Sequence, residues 1–342
     1  MNPIMITKEL LTDNIAMILE AYPYAGDFFT ASGIEGFSMN PHLNVLQYID
    51  EIPEPLLEDI GASPSQLADH FISFLNRMES LKQKKKCVEK ITIIGGQNKL
   101  GEDENLTFSI EKGEIITVMG PTGSGKSCLL ADIECLAQGD TQTKRKILID
   151  DRVPNERERF QIENKLIAQL SQNMNFVMDL PVMDFLRLHG ESRMIQSLGT
   201  IIEKIFDAAN DLAGERFSRQ TPLTELSGGQ SRALMIADTA FLSASPIVLI
   251  DEIENAGVDR KKALRLLAQE QKIVLMSTHD PILALMGDKR IIIENGGMKA
   301  VLETSDMEKR NLKELEDMDR KTTRLLQMLR GGQRVETSVS LL

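Results

Sequence analysis

Gly120-Pro121-Thr122-Gly123-Ser124-Gly125-Lys126-Ser127 is the stretch that decides how this chain is read. It fits G-x-x-x-x-G-K-[ST], a glycine-rich turn that opens onto a helix. The apolar run Ile115–Met119 before it is β-like, and the pattern from Lys126 through Cys135 is helical. A loop between a buried strand and a helix points its backbone N–H groups into one small concavity at a positive helix end. Glycines at 120, 123 and 125 permit the turn and let phosphate oxygens approach the main chain. Lys126 adds a point charge for β- and γ-phosphates, and the Ser127 hydroxyl is suited to ligate Mg²⁺.

Three further segments follow in fixed order: Leu226-Ser227-Gly228-Gly229-Gln230, then Ile247–Glu252, then Ser277-Thr278-His279-Asp280. The run Ile247–Ile250 ends at two carboxylates, which places Asp251 at the carboxyl end of a buried strand, where ligands of open α/β sheets gather. Asp251 would hold Mg²⁺ directly or through water, and Glu252 would polarise an attacking water. Without a cation such a pair costs desolvation and mutual repulsion. The segment 226–230 begins a helix, Ser231 to Phe241. Ser227 and the amides near Gly228 and Gly229 therefore lie at a helix end suited to phosphate.

In this order and spacing the four segments resemble the ATP-binding cassette (ABC) ATPase family over about residues 90–305. The resemblance implies an α/β fold, an ABC-type P-loop NTPase core with a helical insert subdomain. It also implies ATP and Mg²⁺ as ligands, with Gly120 through Ser127 and Cys128 around the phosphates. Ser227, Gly228, Gly229 and Gln230 match the family signature motif, which reaches the γ-phosphate held by a second cassette. One such set per chain implies two chains facing head to tail as a homodimer. Gln172 resembles the Q-loop glutamine that touches Mg²⁺ or the attacking water, with Gln169 the fallback, and His279 resembles the switch histidine. Two departures stand out. Ile91–Gln97 carries no aromatic to stack on a base, which weakens selectivity for ATP over GTP. Ile253 replaces the usual proline, and Asp259, carried over as the D-loop aspartate, falls one residue late.

The remaining residues set the bounds. The 342 residues allow about two domains. A net charge of −12 argues against a general nucleic-acid role, because phosphate backbone and protein surface repel. The basic run Lys82–Lys90 reads as a solvated linker. Cys87, Cys128 and Cys135 show neither zinc-ligand spacing nor a disulfide framework, which fits a reducing cytoplasm. Cys128 and Cys135, seven apart on one helix, are expected to share a buried face. No apolar run approaches the roughly 20 residues of a membrane span, and Met1–Leu11 lacks a signal-peptide pattern.

The expected organisation is a small all-helical domain over 1–80, a Lys-rich linker over 81–90 and the ATPase domain over 91–304. An amphipathic helix over 305–330 and a disordered tail over 331–342 complete it. In the first domain Ala25-Gly26 and Ser32-Gly33 should break helices, and Ser63 with Pro64 should start one. The stretch from Tyr22-Pro23 to Leu75 is similar to the small helical domain of iron–sulfur repair proteins. Glu35, Gly36, Phe37 and Ser38 stand where those domains carry cysteine, so partner docking is the carry-over. Tyr22, Tyr24, Phe28, Phe29 and Phe37 exceed what so short a unit should hide. Two uses of ATP follow: a soluble factor acting on a protein partner, for instance in metalloenzyme activation or repair, or the nucleotide-binding subunit of a membrane transporter working with a transmembrane permease.

Overall fold

The computed structural model describes residues 6–37, 40–82, 87–160, 165–171, 175–193, 195, 197–251 and 257–334. The chain forms two compact units, Met1–Lys84 and Lys85–Leu342. Lys84, Lys85 and Lys86 of the basic run, and residues 335–342 of the tail, lie outside the described residues.

The first unit carries helices α1 (Ile15–Ala21), α2 (Ala25–Ala31), α3 (Val45–Asp50), α4 (Glu54–Ile60) and α5 (Pro64–Lys82). Local chemistry sets their ends. Asn44 and Gln47 form a capping box at the start of α3, and Gly61 in the left-handed region ends α4. The Ser63 hydroxyl accepts from the Gln66 N–H at 3.4 Å as α5 begins. Ala25-Gly26 does not break a helix but opens α2. Pro23 is the interrupting residue, and a glycine in a first turn costs little. The aromatics expected at the surface pack on one another instead. Tyr24, Phe29 and Phe37 are buried, Phe29 stacks on Phe37 at 4.5 Å, and half-buried Phe28 lies on Phe71 and Phe74. Rings bury large areas per residue, so a few of them fill a core this small.

The second unit contains two sheets. A three-stranded antiparallel sheet has order β2 (Thr107–Glu111), β1 (Lys90–Ile94), β4 (Lys146–Ile149). The larger sheet has order β5 (Ile167–Leu170), β6 (Ile247–Asp251), β7 (Ile273–Ser277), β3 (Ile115–Met119), β8 (Lys289–Glu294), β9 (Gly297–Glu303). Its pairs are parallel except β8 with β9. Continuous apolar runs such as Ile247–Ile250 fit strands covered on both faces. The helix α6 (Lys126–Glu134) buries Leu129, Leu130 and Ile133 with Ile91, Ile147, Leu249 and Leu275 in one cluster. On the other face Ala233, Ile236, Leu264 and Leu267 meet Val248, Ile250 and Val274.

A helical insert holds α8 (Val182–Ser192), α9 (Leu198–Leu212) and α10 (Gly228–Phe241) around a third cluster with Leu186, Phe206 and Leu234. The short α7 (Glu156–Phe160) follows β4, α11 (Arg260–Gln269) follows β6, and α12 (Pro281–Met286) follows β7. The last helix, α13 (Asp306–Arg330), starts with a Ser305–Glu308 capping box. Cys128 and Cys135 do share a helix face, but it is not the buried one. Cys128 is exposed and Cys135 half-buried, because the core side of α6 belongs to Leu129, Leu130 and Ile133.

Candidate nucleotide site

The order β6-β7-β3 brings three strand ends to one edge of the sheet. The phosphate loop follows β3, Asp251 ends β6, and Ser277 ends β7. Ligands of open parallel sheets bind at this edge, beyond the carboxyl ends of the strands.

The loop 120–127 is tightly packed from behind. A Cβ on Gly120 would lie 2.4 Å from the Ile293 carbonyl and 2.6 Å from Ser124 Oγ. Gly125 has φ +107°, and a Cβ there would lie 2.8 Å from the Gly296 Cα. The buried Lys126 ammonium turns into the loop and donates to the carbonyls of Gly120 at 2.9 Å and Pro121 at 3.2 Å. Ser124 Oγ is buried with no protein hydrogen-bond partner. A buried hydroxyl without a partner is costly, and an acceptor such as a phosphate oxygen would satisfy it. The loop's residues therefore fit a polyphosphate. Ser127, in the first turn of α6, and Asp251 supply the hard oxygen donors that suit Mg²⁺.

Two residues were missed in the sequence. Lys99, in the β1–β2 connection, donates its Nζ to the Gly123 carbonyl at 2.8 Å. Ser277, in register with Asp251 on the adjacent strand, donates its hydroxyl to Asp251 Oδ1 at 2.5 Å. The signal for Ser277 was its place at the head of the segment 277–280, while its pairing with Asp251 depends on β6 lying beside β7. The Lys99 contact had none, because the intervening loop has no period.

His279 is exposed directly after β7. The turn that presents it is fixed on both sides: buried Thr278 Oγ1 accepts from the Asp280 N–H at 3.0 Å, and Asp280 caps α12 and pairs with Arg260. Asp259 is the N-cap of α11, accepting from the Lys262 N–H at 3.1 Å. Ser227 caps α10 and forms a capping box with Gln230, whose amide also donates to the Glu215 carbonyl at 3.2 Å. Ser227 and Gly228 are exposed. This motif thus sits on the helical insert and is bonded there, not to the phosphate loop. Gln169 faces the Glu134 carboxylate at 3.0 and 3.2 Å, which engages its amide away from the loop. Gln172 and Glu252 lie outside the described residues.

The family model described as ABC transporter matches residues 104–255. The uncharacterized ABC transporter ATP-binding protein MJ0121 of Methanocaldococcus jannaschii is 49% identical over 249 residues, which is 72% of this chain and 95% of that relative. The macrolide export ATP-binding/permease protein MacB of Aggregatibacter actinomycetemcomitans is 28% identical over 237 residues, covering 64% of this chain and 33% of MacB. Among solved structures, cbiO1 from Clostridium perfringens, part of the ABC transporter complex cbiONQ, aligns with a TM-score of 0.50 at 21% identity. That alignment covers 70% of this chain and 97% of cbiO1, and it bears on the fold alone.

Proposed function

The chain belongs to the ABC ATPase family and is an ATP hydrolase, and from this we propose that two copies face head to tail, each completing the other's nucleotide site. One observation carries the reading: the phosphate-binding groups are divided between two separate elements. The loop 120–127 lies at the sheet edge, whereas Ser227, Gly228 and Gly229 open α10 on the insert with Ser227 and Gly228 exposed. A positive helix end facing solvent suits a γ-phosphate presented by a second chain.

Within that pair each residue has a task. Lys126 and the backbone N–H groups between Thr122 and Cys128 bind and orient the β- and γ-phosphates. Ser127, Asp251 and Gln172 would hold Mg²⁺, which would supply positive charge to offset that of the phosphates. Ser277 fixes the rotamer of Asp251 through its hydrogen bond. Glu252 accepts a proton from the attacking water. His279 meets the γ-phosphate from the end of β7, and Asp259, the N-cap of α11, serves as the D-loop aspartate. Size-exclusion chromatography of Glu252→Gln with ATP and Mg²⁺ tests the pairing. A dimer is expected, and a strictly monomeric profile at high concentration contradicts it.

ATP-driven closure and hydrolysis-driven opening then move a partner. We assign that partner to be a protein recognised by the first unit, which has its own core and carries none of the phosphate-contacting motifs. A metalloenzyme under activation or repair is the class implied by that unit's resemblance to the small helical domain of iron–sulfur repair proteins. The names of the relatives favour a second reading, in which the partner is a membrane permease. No helix among the described residues is long and apolar enough to cross a membrane. Affinity capture of the intact chain from its own cells separates the two. Recovery of a soluble metalloenzyme supports the first, and recovery of a multi-span membrane protein supports the second.

A further inference from the structure

Arg145, the residue before β4, is completely buried. Removing a guanidinium from water is costly unless its charge and its donors are matched, and here three separate elements match them. Nε and Nη2 donate to the two carboxylate oxygens of Glu104 at 3.0 and 2.5 Å. Nη1 donates to Asp132 on α6 at 2.9 Å, and Nη2 also donates to the Gly296 carbonyl at 2.7 Å. The carboxylates are held in turn. Glu104 accepts from the Gly96 and Met298 amides at 3.0 and 2.8 Å, and Asp132 accepts from the Thr143 hydroxyl at 2.7 Å. Burial works against the charge on Glu104, but the hydrogen bonds from Arg145 and the amides outweigh it. They hold the carboxyl below its ordinary range.

Gly296 extends this cluster to the nucleotide site. Its N–H donates to the Ser124 carbonyl at 2.7 Å, while its own carbonyl is the one Arg145 holds. Its Cα stands where a Cβ on Gly125 would collide. Next to it, the Asn295 carbonyl accepts from the Lys99 N–H at 2.9 Å, and Lys99 Nζ reaches Gly123. Gly123, Ser124 and Gly125 are thus each in contact with the 295–296 turn or with the lysine hung from it.

We infer that Arg145 is a positioning residue for the phosphate loop, acting through Gly296 on the loop itself and through Asp132 on the helix that the loop opens. It touches no phosphate. It sets the aim of the groups that do, and this rests on the ATPase reading above. Were Arg145 only a structural tie between sheets, its replacement would lower stability and leave nucleotide affinity alone.

The test is steady-state ATP hydrolysis by full-length Arg145→Lys and Glu104→Gln, with ADP binding and thermal melts alongside. Lysine keeps the charge but cannot reproduce the planar fork that serves three partners. The expected result for Arg145→Lys is a KM for ATP raised about tenfold with kcat within about threefold, the pattern of lost uniform binding. ADP affinity should fall in parallel. Glu104→Gln keeps the shape of the side chain but sets an amide NH2 against two of the four donors that the carboxylate serves, so a lowered melt and a rise in KM smaller than that of Arg145→Lys are expected. Wild-type KM in both variants, or in Glu104→Gln alone if Arg145→Lys does not fold, overturns the inference. Absence of turnover in the unaltered chain would instead strike the ATPase reading itself.

Discussion

The two units of this chain solve the core-filling problem with different residues. All three tyrosines stand in the first unit, and its centre is a set of rings from Phe28, Phe29, Phe37, Tyr48 and Phe71. The sheet core of the second is isoleucine, valine and leucine, with ring pairs such as Phe176–Phe185 and Phe206–Phe217 confined to its helical insert. Large rings suit a small unit that has few residues with which to exclude water. β-Branched residues suit a pleated surface covered on both faces. The sharper contrast is polar. Every buried polar or charged residue among the described residues lies in the second unit, Lys126, Asp132, Arg145, Ser277 and Thr278 among them. Buried polar groups are costly to satisfy, and several of them, Ser124, Lys126, Asp132 and Arg145 among them, stand in the phosphate loop or in the cluster behind it.

The contrast breaks most visibly at Lys126. Lys126→Ala should abolish nucleotide binding, because it removes the charge that neutralises the β- and γ-phosphates. Calorimetric titration showing unaltered affinity would take the loop out of the account. Glu252→Gln should bind ATP normally while turnover falls on the order of 10²–10⁴-fold, since the amide keeps shape and loses basicity. Turnover near the wild-type rate would move the base elsewhere. Phe29→Ala attacks the other core. It should destabilise the first unit by about 3–5 kcal/mol, the usual cost of emptying a buried ring site, and leave ATP hydrolysis in place. Hydrolysis that falls in step with that melt would show the two cores to be energetically one.

The smallest expected effect concerns pH. Glu104 is a stronger acid in the folded chain than in the unfolded one, whose reference value is 4.5. A depressed folded pKa contributes stability that is complete above the unfolded value and is lost as pH falls through the folded one. Melting of the second unit should therefore drop below about pH 4.5, and Glu104→Gln should flatten that limb. An identical acid limb in the variant would show that other carboxyls set it.

Much of this was legible because it is local. The strand–loop–helix around Lys126, the apolar run ending at Asp251 and the helix opened by Ser227 each announce themselves within a dozen residues. The α/β core was implied by the resemblance of these segments to the ABC ATPase family. What escaped depends on distant partners. Nothing near Arg145 in sequence shows that Glu104, Asp132 and Gly296 converge on it, at separations of 41, 13 and 151 residues. Strand β9 was missed although Asn295-Gly296, both at positive φ, is a strong short-range hairpin signal. The exposed placement of Cys128 turned on which face of α6 meets the sheet, and a spacing of seven is silent on that. The aromatics of the first unit were misjudged by counting rings without the volume they fill.

The turn at Asn295-Gly296 also bears on how the protein is made. Translation delivers the complete motif Gly120–Ser127 long before it delivers the turn that braces it, and β8, which carries that turn, pairs directly with β3. A nascent chain halted between the two would hold the right residues on an unbraced loop. The bracing of the loop is in this way tied to residues at the far end of the cassette, which leave the ribosome last.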